Sequence, residues 1–417
     1  MVWSRSLVAF WLVASVIAGC DRRTSVEILP LPPTPPAEVP ESSAEPRPAK
    51  IDDVELERLL ASVPSFARYL ADPARFRLQV LVTAVDRHGG GIALDEAGYR
   101  VDEELIYPAS AIKTFLSLTA LAAVEEAGGG PDTRVGLCDG GSCQPLRDPT
   151  NRETGQMTVG HLVRKLQLVS DNDAFTQLEG AVGPDAIHEL GWSLGFSSLR
   201  IHHRMGEVPG APRRARFAFL VPGAPISAPA TPAIAVPATP VSRLEVGRAH
   251  VDELGREQER PMSFATKNYV ALRDLQRLNQ RLVLPEARPD LPPLPLSDRS
   301  RALLLEAMTI APRASENPRY RAPQHEVEAH KPMLPGLRRV VPKDAIRYVN
   351  KSGRAYGFHL ENAYVEDRRS GLGFFVTAAL YVNPNGVVND DWYGYDNSTM
   401  PFMADLGELL ARALLTP

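Results

Sequence analysis

Tyr107-Pro108-Ala109-Ser110-Ala111-Ile112-Lys113 opens the stretch that decides how this chain folds. The run continues to Ala127 and stops at Gly128-Gly129-Gly130. Proline is tolerated in the first turn of a helix, whereas three glycines leave the backbone too free to continue one. Between these ends Ile112, Phe115, Leu116, Leu118, Leu121 and Val124 fall on more than one face. A helix apolar on several faces must be covered on several faces, so the spacing predicts a helix in the middle of a domain. Ser110 and Lys113 lie one turn apart on it, which brings their Cβ atoms to ~5–6 Å. A hydroxyl is a weak nucleophile until a base takes its proton. An amine made less basic by apolar surroundings is such a base.

On the N-terminal side of that helix, residues 54–69 carry an amphipathic helical pattern and residues 77–85 a β-branched run that reads as a strand. Gly89-Gly90-Gly91 marks a turn. On the C-terminal side, helical patterns recur at 159–168, 172–180, 185–194, 269–282 and 300–309, with Pro184 at the head of the third. Residues 219–240 are rich in alanine and proline and read as an irregular inserted loop. Residues 347–350, 355–365 and 372–382 read as three strands, and 399–415 as a closing amphipathic helix. Strands at both ends with helices between them predict an α/β (α+β) domain, its sheet built from the two termini and its middle a helical insertion. The expected division is a sheet subdomain from residues 51–106 and 330–417, and a helical subdomain over 107–329 that carries an insertion at 213–262.

The bulk composition is that of an ordinary globular protein, and a formal net charge of −4 argues against a nucleic-acid partner. Residues 1–19 read as a secretory signal: Arg5, then an apolar run over 7–17 that is too short to span a bilayer comfortably. Ile17-Ala18-Gly19-Cys20 resembles a bacterial lipobox, in which the cysteine is lipidated after cleavage; an uncleaved anchor or a chance cysteine is the alternative. Asp21 resembles an inner-membrane retention signal. The expectation is a periplasmic protein tied to the membrane by lipid on Cys20. The tether over residues 20–50 is rich in proline, glutamate and serine and has too little apolar area to fold. Cys138 and Cys143 bracket two glycines and a serine, and in an oxidising compartment a local disulfide is expected, with free thiols the alternative.

Three short motifs follow one another: Ser110-Ala111-Ile112-Lys113, Ser170-Asp171-Asn172 and Lys351-Ser352-Gly353. Each alone has a plain explanation: a helix cap, a polar turn, the end of a strand. Together they resemble the Ser-x-x-Lys, Ser-Asp-Asn and Lys-Thr-Gly set of class A β-lactamases and penicillin-binding proteins. The sixty-residue interval from Ser110 to Ser170 matches the class A spacing, and the approach Tyr107-Pro108-Ala109 is similar too. The resemblance covers residues 51–417 with an enlarged middle. It implies a five-stranded antiparallel sheet flanked by helices with an all-helical subdomain, and an enzyme that opens β-lactam amides through an acyl-serine intermediate.

By that resemblance Ser110 is the nucleophile, Lys113 its general base, and Ser170 the proton relay to the leaving nitrogen. Asn172 holds Lys113 and the substrate's side-chain amide, and Asp171 is a structural acceptor. Lys351 and Ser352 bind the substrate carboxylate, and Gly353 lets the strand come close. The backbone N–H groups of Ser110 and Arg354 form the oxyanion hole. No metal and no organic cofactor is implied. The partners expected are a small-molecule β-lactam or a peptidoglycan peptide, with the chain a monomer. A D-Ala-D-Ala peptidase, another amide or ester hydrolase, or a non-catalytic lipoprotein that binds wall peptides or senses β-lactams stand as alternatives.

Two departures from the family pattern stand out. Ser352 replaces the usual threonine but keeps the hydroxyl. The deacylating glutamate of the family's Glu-x-x-Leu-Asn loop has as its candidate Glu207, in Arg204-Met205-Gly206-Glu207-Val208-Pro209, one position beyond the expected spacing. An exposed loop carboxylate is the alternative for Glu207. His202-His203 is expected at the surface, not on a metal. Trp392-Tyr393-Gly394-Tyr395 is expected to cover the edge of a core, with a sugar or peptide cleft as the alternative.

Overall fold

Five segments pair into one sheet in the computed structural model of the chain. They are β1 (Gln79–Asp86), β2 (Ala93–Tyr99), β3 (Ile346–Ala355), β4 (Phe358–Asp367) and β5 (Gly373–Tyr381). The order is β3-β4-β5-β1-β2, every pair antiparallel. Strands from the N-terminal and C-terminal parts of the domain therefore meet inside the sheet, β1 lying beside β5. This is the α+β architecture that the sequence predicts. The described residues are 50–87, 91–139, 142–203, 216–229, 231–321 and 327–416. They lie in the unit Glu45–Pro417, the other unit being Met1–Ala44. The expectations on the leader, Cys20, Asp21 and Glu207 fall outside the described residues.

Strand period divides the sheet into two covered faces. Val80, Val82 and Ala84 of β1 stand beside Ala378, Val376 and Phe374 of β5 on one face. Leu81, Thr83 and Val85 stand beside Thr377, Phe375 and Gly373 on the other. Burial on both faces is why these strands read as almost continuous apolar runs.

The longer helices are α1 (Asp53–Ala61), α2 (Lys113–Glu126), α3 (Val159–Leu168), α4 (Asn172–Ser193), α5 (Leu272–Val283), α6 (Asp298–Thr309) and α7 (Met400–Leu414). Leu56 and Leu60 of α1 and Phe402, Leu406 and Leu410 of α7 cover the first face, with Phe66 and Val376 in the same core. The central helix α2 belongs to a second core with α3, α4, α5 and the β1–β5 residues Val85 and Phe375. Ten of its fourteen residues are buried. That is the enclosure its many-sided apolar pattern demands.

The boundaries correct the sequence reading in two places. The pattern over 54–69 is not one helix: α1 ends at Ala61, and Pro64 begins a separate short turn. The helices expected over 172–180 and 185–194 are both present within α4, which breaks where Gly183 takes a non-helical φ of 77° just before Pro184. Residues 347–350 are not a separate short strand. β3 runs on through Lys351, Ser352 and Gly353 to Ala355, and the hairpin turns at Tyr356-Gly357. Gly353 thus interrupts the apolar pattern without ending the strand. Residues 220–244 form only isolated bridges among the described residues, in keeping with an irregular loop.

Candidate active site

The second motif is built where α3 ends and α4 begins. Asp171 caps α4: its Oδ1 accepts from the Ala174 N–H at 2.9 Å, and its Oδ2 lies 3.5 Å from Lys165 Nζ. Both oxygens are turned to these partners, so Asp171 fixes the turn. Ser170, one residue earlier, holds a φ of 59°. Left-handed backbone at a serine costs of order 1 kcal/mol or more and persists only where its surroundings enforce it. Here the enforcing contact is Lys113, whose Nζ donates to Ser170 O at 2.5 Å, to Ser170 Oγ at 3.0 Å and to Asn172 Oδ1 at 2.7 Å.

Lys113 starts α2, and the tight turn Ala109–Ile112 directly before it carries Ser110. Ala109 also has positive φ, 46°. Ser110 is half-buried, whereas Lys113 is buried. Burial pulls the Lys113 amine down to about 7, and the Asp171 carboxylate opposes that fall. Near neutral pH a large share of this amine is therefore unprotonated, although its hydrogen bonds hold it in place. Gln167 of α3 braces the helix start from behind, its Nε2 donating to Ser117 Oγ at 2.8 Å.

The third motif arrives from the sheet. A Cβ placed on Gly353 would lie 2.3 Å from Pro108 O, 2.7 Å from Ser110 N and 2.9 Å from Ala111 N. Real side chains do not tolerate such approaches, so only glycine lets β3 lie against the Ser110 turn. Lys351, two residues back, is buried. Its amine is held well below the usual lysine range, first by burial and then by the neighbouring Lys113 ammonium. Ser352 and Arg354 are half-buried, and the Arg354 guanidinium lies 5.7 Å from the centre of the Tyr395 ring. The structure thus brings Ser110, Lys113, Ser170, Asn172, Lys351 and Gly353 together from four elements. The Lys113 amine, the Ser170 hydroxyl and the Asn172 amide bond to one another next to the turn that carries Ser110, a set of groups able to accept and pass on a proton.

The other candidates sit elsewhere. Cys138 and Cys143 are bonded across the paired strands Val135–Asp139 and Ser142–Pro145. His202 and His203 are half-buried, not at the surface, because both backbone N–H groups dock on Asn268 Oδ1. Among the described residues no group of three or more His, Cys, Asp or Glu side chains could hold a metal ion. Trp392 is 59% exposed, while Tyr393 and Tyr395 pack together at 5.4 Å and Tyr395 accepts from the Gly357 N–H. A cleft of about 730 Å³ lies between α3 and α6, lined by Arg134, His161, Arg164 and Glu306; no motif residue borders it.

Sequence reasoning missed Lys331 and Glu361, both buried beside β3. Glu361 had a signal, a carboxylate inside the run Phe358-His359-Leu360-Glu361-Asn362-Ala363. Lys331 had none, since it stands in a short connection before Pro332.

Residues 90–225 match the family model described as the beta-lactamase enzyme family. The match contains the first two motifs and stops before the third. Among solved structures the chain is similar to a beta-lactamase from Desulfarculus baarsii, at 16% identity over 87% of this chain and 98% of that one, with a TM-score of 0.49. It is similar to a beta lactamase from Burkholderia vietnamiensis at 17% identity, covering 84% and 96% of the two chains, TM-score 0.47. An ancestral class A beta-lactamase aligns at 19% identity over 87% of this chain, with a TM-score of 0.46. No curated protein sequence matches the chain.

Proposed function

We propose that this chain, which belongs through residues 90–225 to the serine β-lactamase and DD-peptidase superfamily, opens β-lactam amides by acylating Ser110. The chain is a serine hydrolase of the β-lactamase and penicillin-binding kind. One observation carries the finer reading: the Lys113 amine is shared between Ser170 Oγ and Asn172 Oδ1, while Gly353 brings the third motif against the backbone of Ser110.

The steps follow from these positions. The unprotonated Lys113 amine takes the proton of the Ser110 hydroxyl as the oxygen attacks the lactam carbonyl carbon. The backbone N–H groups of Ser110 and Arg354 receive the developing oxyanion, and each such donor contributes ~3 kcal/mol in related chemistry. The carbon–nitrogen bond then breaks, and Ser170 Oγ relays the proton from the Lys113 ammonium to the leaving nitrogen. Lys351 and Ser352 hold the substrate carboxylate. Water finally cleaves the acyl ester. Asp171, the carboxylate that acts on Lys113, is committed to Ala174 and Lys165 and does not serve that water. The other candidate for that water, Glu207, lies outside the described residues, and a D-Ala-D-Ala peptidase, whose acyl-enzyme outlasts a β-lactamase's on a penicillin, is the second reading. The anchor on Cys20, at the periplasmic face of the inner membrane, belongs to the same proposal and rests on the lipobox residues alone.

A fluorescent penicillin tests it. Wild type should acquire a covalent label that Ser110→Ala does not. Fast loss of the label marks a β-lactamase. A lasting label together with D-alanine release from a pentapeptide marks the peptidase. Equal absence of label in wild type and Ser110→Ala removes the acyl-serine reading.

A further inference from the structure

Only Val169, Ser170 and Asp171 separate α3 from α4, and Ser170 among them holds the left-handed φ of 59°. A turn so short and so strained keeps its shape only where neighbours hold it. Its backbone ties to α3 are long: the Val169 and Asp171 N–H groups both donate to Lys165 O, at 3.3 and 3.4 Å. Lys165 meets the same turn a second time with its side chain, Nζ lying 3.5 Å from Asp171 Oδ2. One residue outside the three motifs therefore grips the second motif by its carbonyl and by its amine.

That amine is itself anchored. It donates to Asp148 Oδ2 at 3.1 Å. Asp148 is buried, and its Oδ1 accepts from the Thr150 N–H at 2.9 Å and from the Thr150 hydroxyl at 2.6 Å. Its backbone is fixed too: the Asp148 N–H donates to Gly155 O at 3.2 Å, and Asp148 O accepts from the Asn151 N–H at 3.0 Å. The Thr150 oxygen also lies 2.9 Å from Nε2 of His161, which stands on α3 one turn before Lys165. Burial alone would raise the Asp148 carboxyl, but the bonds from Thr150 and Lys165 bring it below its usual range, so Asp148 is a carboxylate at neutral pH. Lys165 is thus a bridge between a fixed carboxylate and the one in the motif. The Ala174 N–H holds Asp171 Oδ1, and Lys165 holds Oδ2. Two partners on two oxygens stop the carboxylate from turning about its last bond.

We propose that Lys165 is a positioning residue. Held by Asp148, it fixes the plane of the Asp171 carboxylate, and through the turn it fixes Ser170 Oγ and Asn172 Oδ1 against the Lys113 amine. Its effect on acylation rests on the proposed function; its hold on the turn does not.

Magnitudes separate this role from plain stabilisation. An ion pair that water still reaches adds little to stability, whereas moving a catalytic group by about 1 Å slows a reaction roughly 10²-fold. Positioning therefore shows in the rate and not in the melting temperature.

The test uses the folded full chain and the fluorescent penicillin. Lys165→Met keeps the apolar stem and should lower the maximal labelling rate roughly 10²-fold, with the half-saturating penicillin concentration held within about threefold. The loss should persist on the alkaline plateau, because it arises from geometry and not from the charge state of Lys113. Lys165→Arg still reaches both carboxylates and should recover most of the rate. Asp148→Asn keeps the Thr150 bonds but turns an amide N–H towards Lys165. It should repeat the Lys165→Met result, and it stands in for that variant if Lys165→Met does not fold. Wild-type rates in both, a rate that returns on the alkaline plateau, or an arginine variant as slow as the methionine one would overturn the proposal. Amide hydrogen exchange follows the turn without any substrate. The Asp171 and Ala174 amides should exchange about fivefold faster in Lys165→Met while those of α2 keep their wild-type rates. Unchanged exchange at the turn overturns the proposal whether or not the protein labels. Faster exchange in a protein that no penicillin labels keeps the hold on the turn and sinks the acyl-serine reading instead.

Discussion

The sheet is buried on both sides of its centre, yet the two burials differ in kind. Where α1 and α7 cover β1 and β5, the contacts include Leu56, Leu60, Phe66, Val80, Val376, Phe402 and Leu406, an apolar cluster. Where the start of α2 meets the edge strand β3, the buried groups are Lys113 and Lys351, with half-buried Ser170 and exposed Asn172 bonded to Lys113. The first region gains ~25 cal/mol for each Å² of apolar surface removed from water. The second gains less, because its ammonium groups lose hydration and recover only part of it through hydrogen bonds. The contrast teaches that the apolar region supplies the stability against which the site's buried amines and positive-φ residues are held.

Substitutions that separate the two regions can break this comparison. Lys113→Ala should cut the rate of penicillin labelling by up to ~10⁴-fold, the span general bases provide, with the unfolding midpoint held or raised. A large drop in thermal midpoint would show instead that the amine stabilises the fold. Phe402→Ala should do the reverse. Loss of a ring that contacts Phe66 and Tyr69 should remove about 3–5 kcal/mol in a denaturant titration, while the folded fraction still labels at the wild-type rate.

Gly353→Val tests the junction between the regions. Its added carbons must push β3 away from Pro108 and Ser110, and a displacement near 1 Å should slow labelling roughly 10²-fold. Unchanged labelling would mean that β3 need not touch the nucleophile's turn.

The pH dependence sharpens the same point. Lys113 acts as a base when unprotonated, and its midpoint is about 7. Labelling should therefore fall about tenfold for each pH unit below 7 and level off above it. Stability should respond with a definite sign too. Between pH 7 and the unfolded lysine value near ~10.4, the unfolded chain holds a proton that the folded one lacks, so stability should rise with pH across that window. A flat melting profile from pH 7 to 9 would contradict the depressed amines. The smallest effect belongs far from both regions. Arg299 pairs with Asp132 in the open, their side chains 66% and 78% exposed, and Arg299→Ala should shift stability by no more than ~0.5 kcal/mol.

Much of the fold was legible before any coordinate. The many-sided apolar run of α2 announced an enclosed helix, and the β-branched runs of β1, β4 and β5 announced strands. What misled was local: Pro64 split a pattern that looked continuous, and Gly353 looked like an end when it was an approach. In the site, the three motifs were readable because each is short and contiguous. Lys331 and Glu361 were not, since a lone charged residue in a connection or a strand looks the same whether it ends up solvated or buried.

By itself the amino-acid order picked out the three candidate motifs and the broad class of fold, because residue type and periodicity are local properties of the chain. Only the tertiary structure decided which charges share a dry space and how far apart they lie. Proton affinity depends on desolvation and on the distance between charges, and both arise when segments more than two hundred residues apart, such as Lys113 and Lys351, are packed against each other.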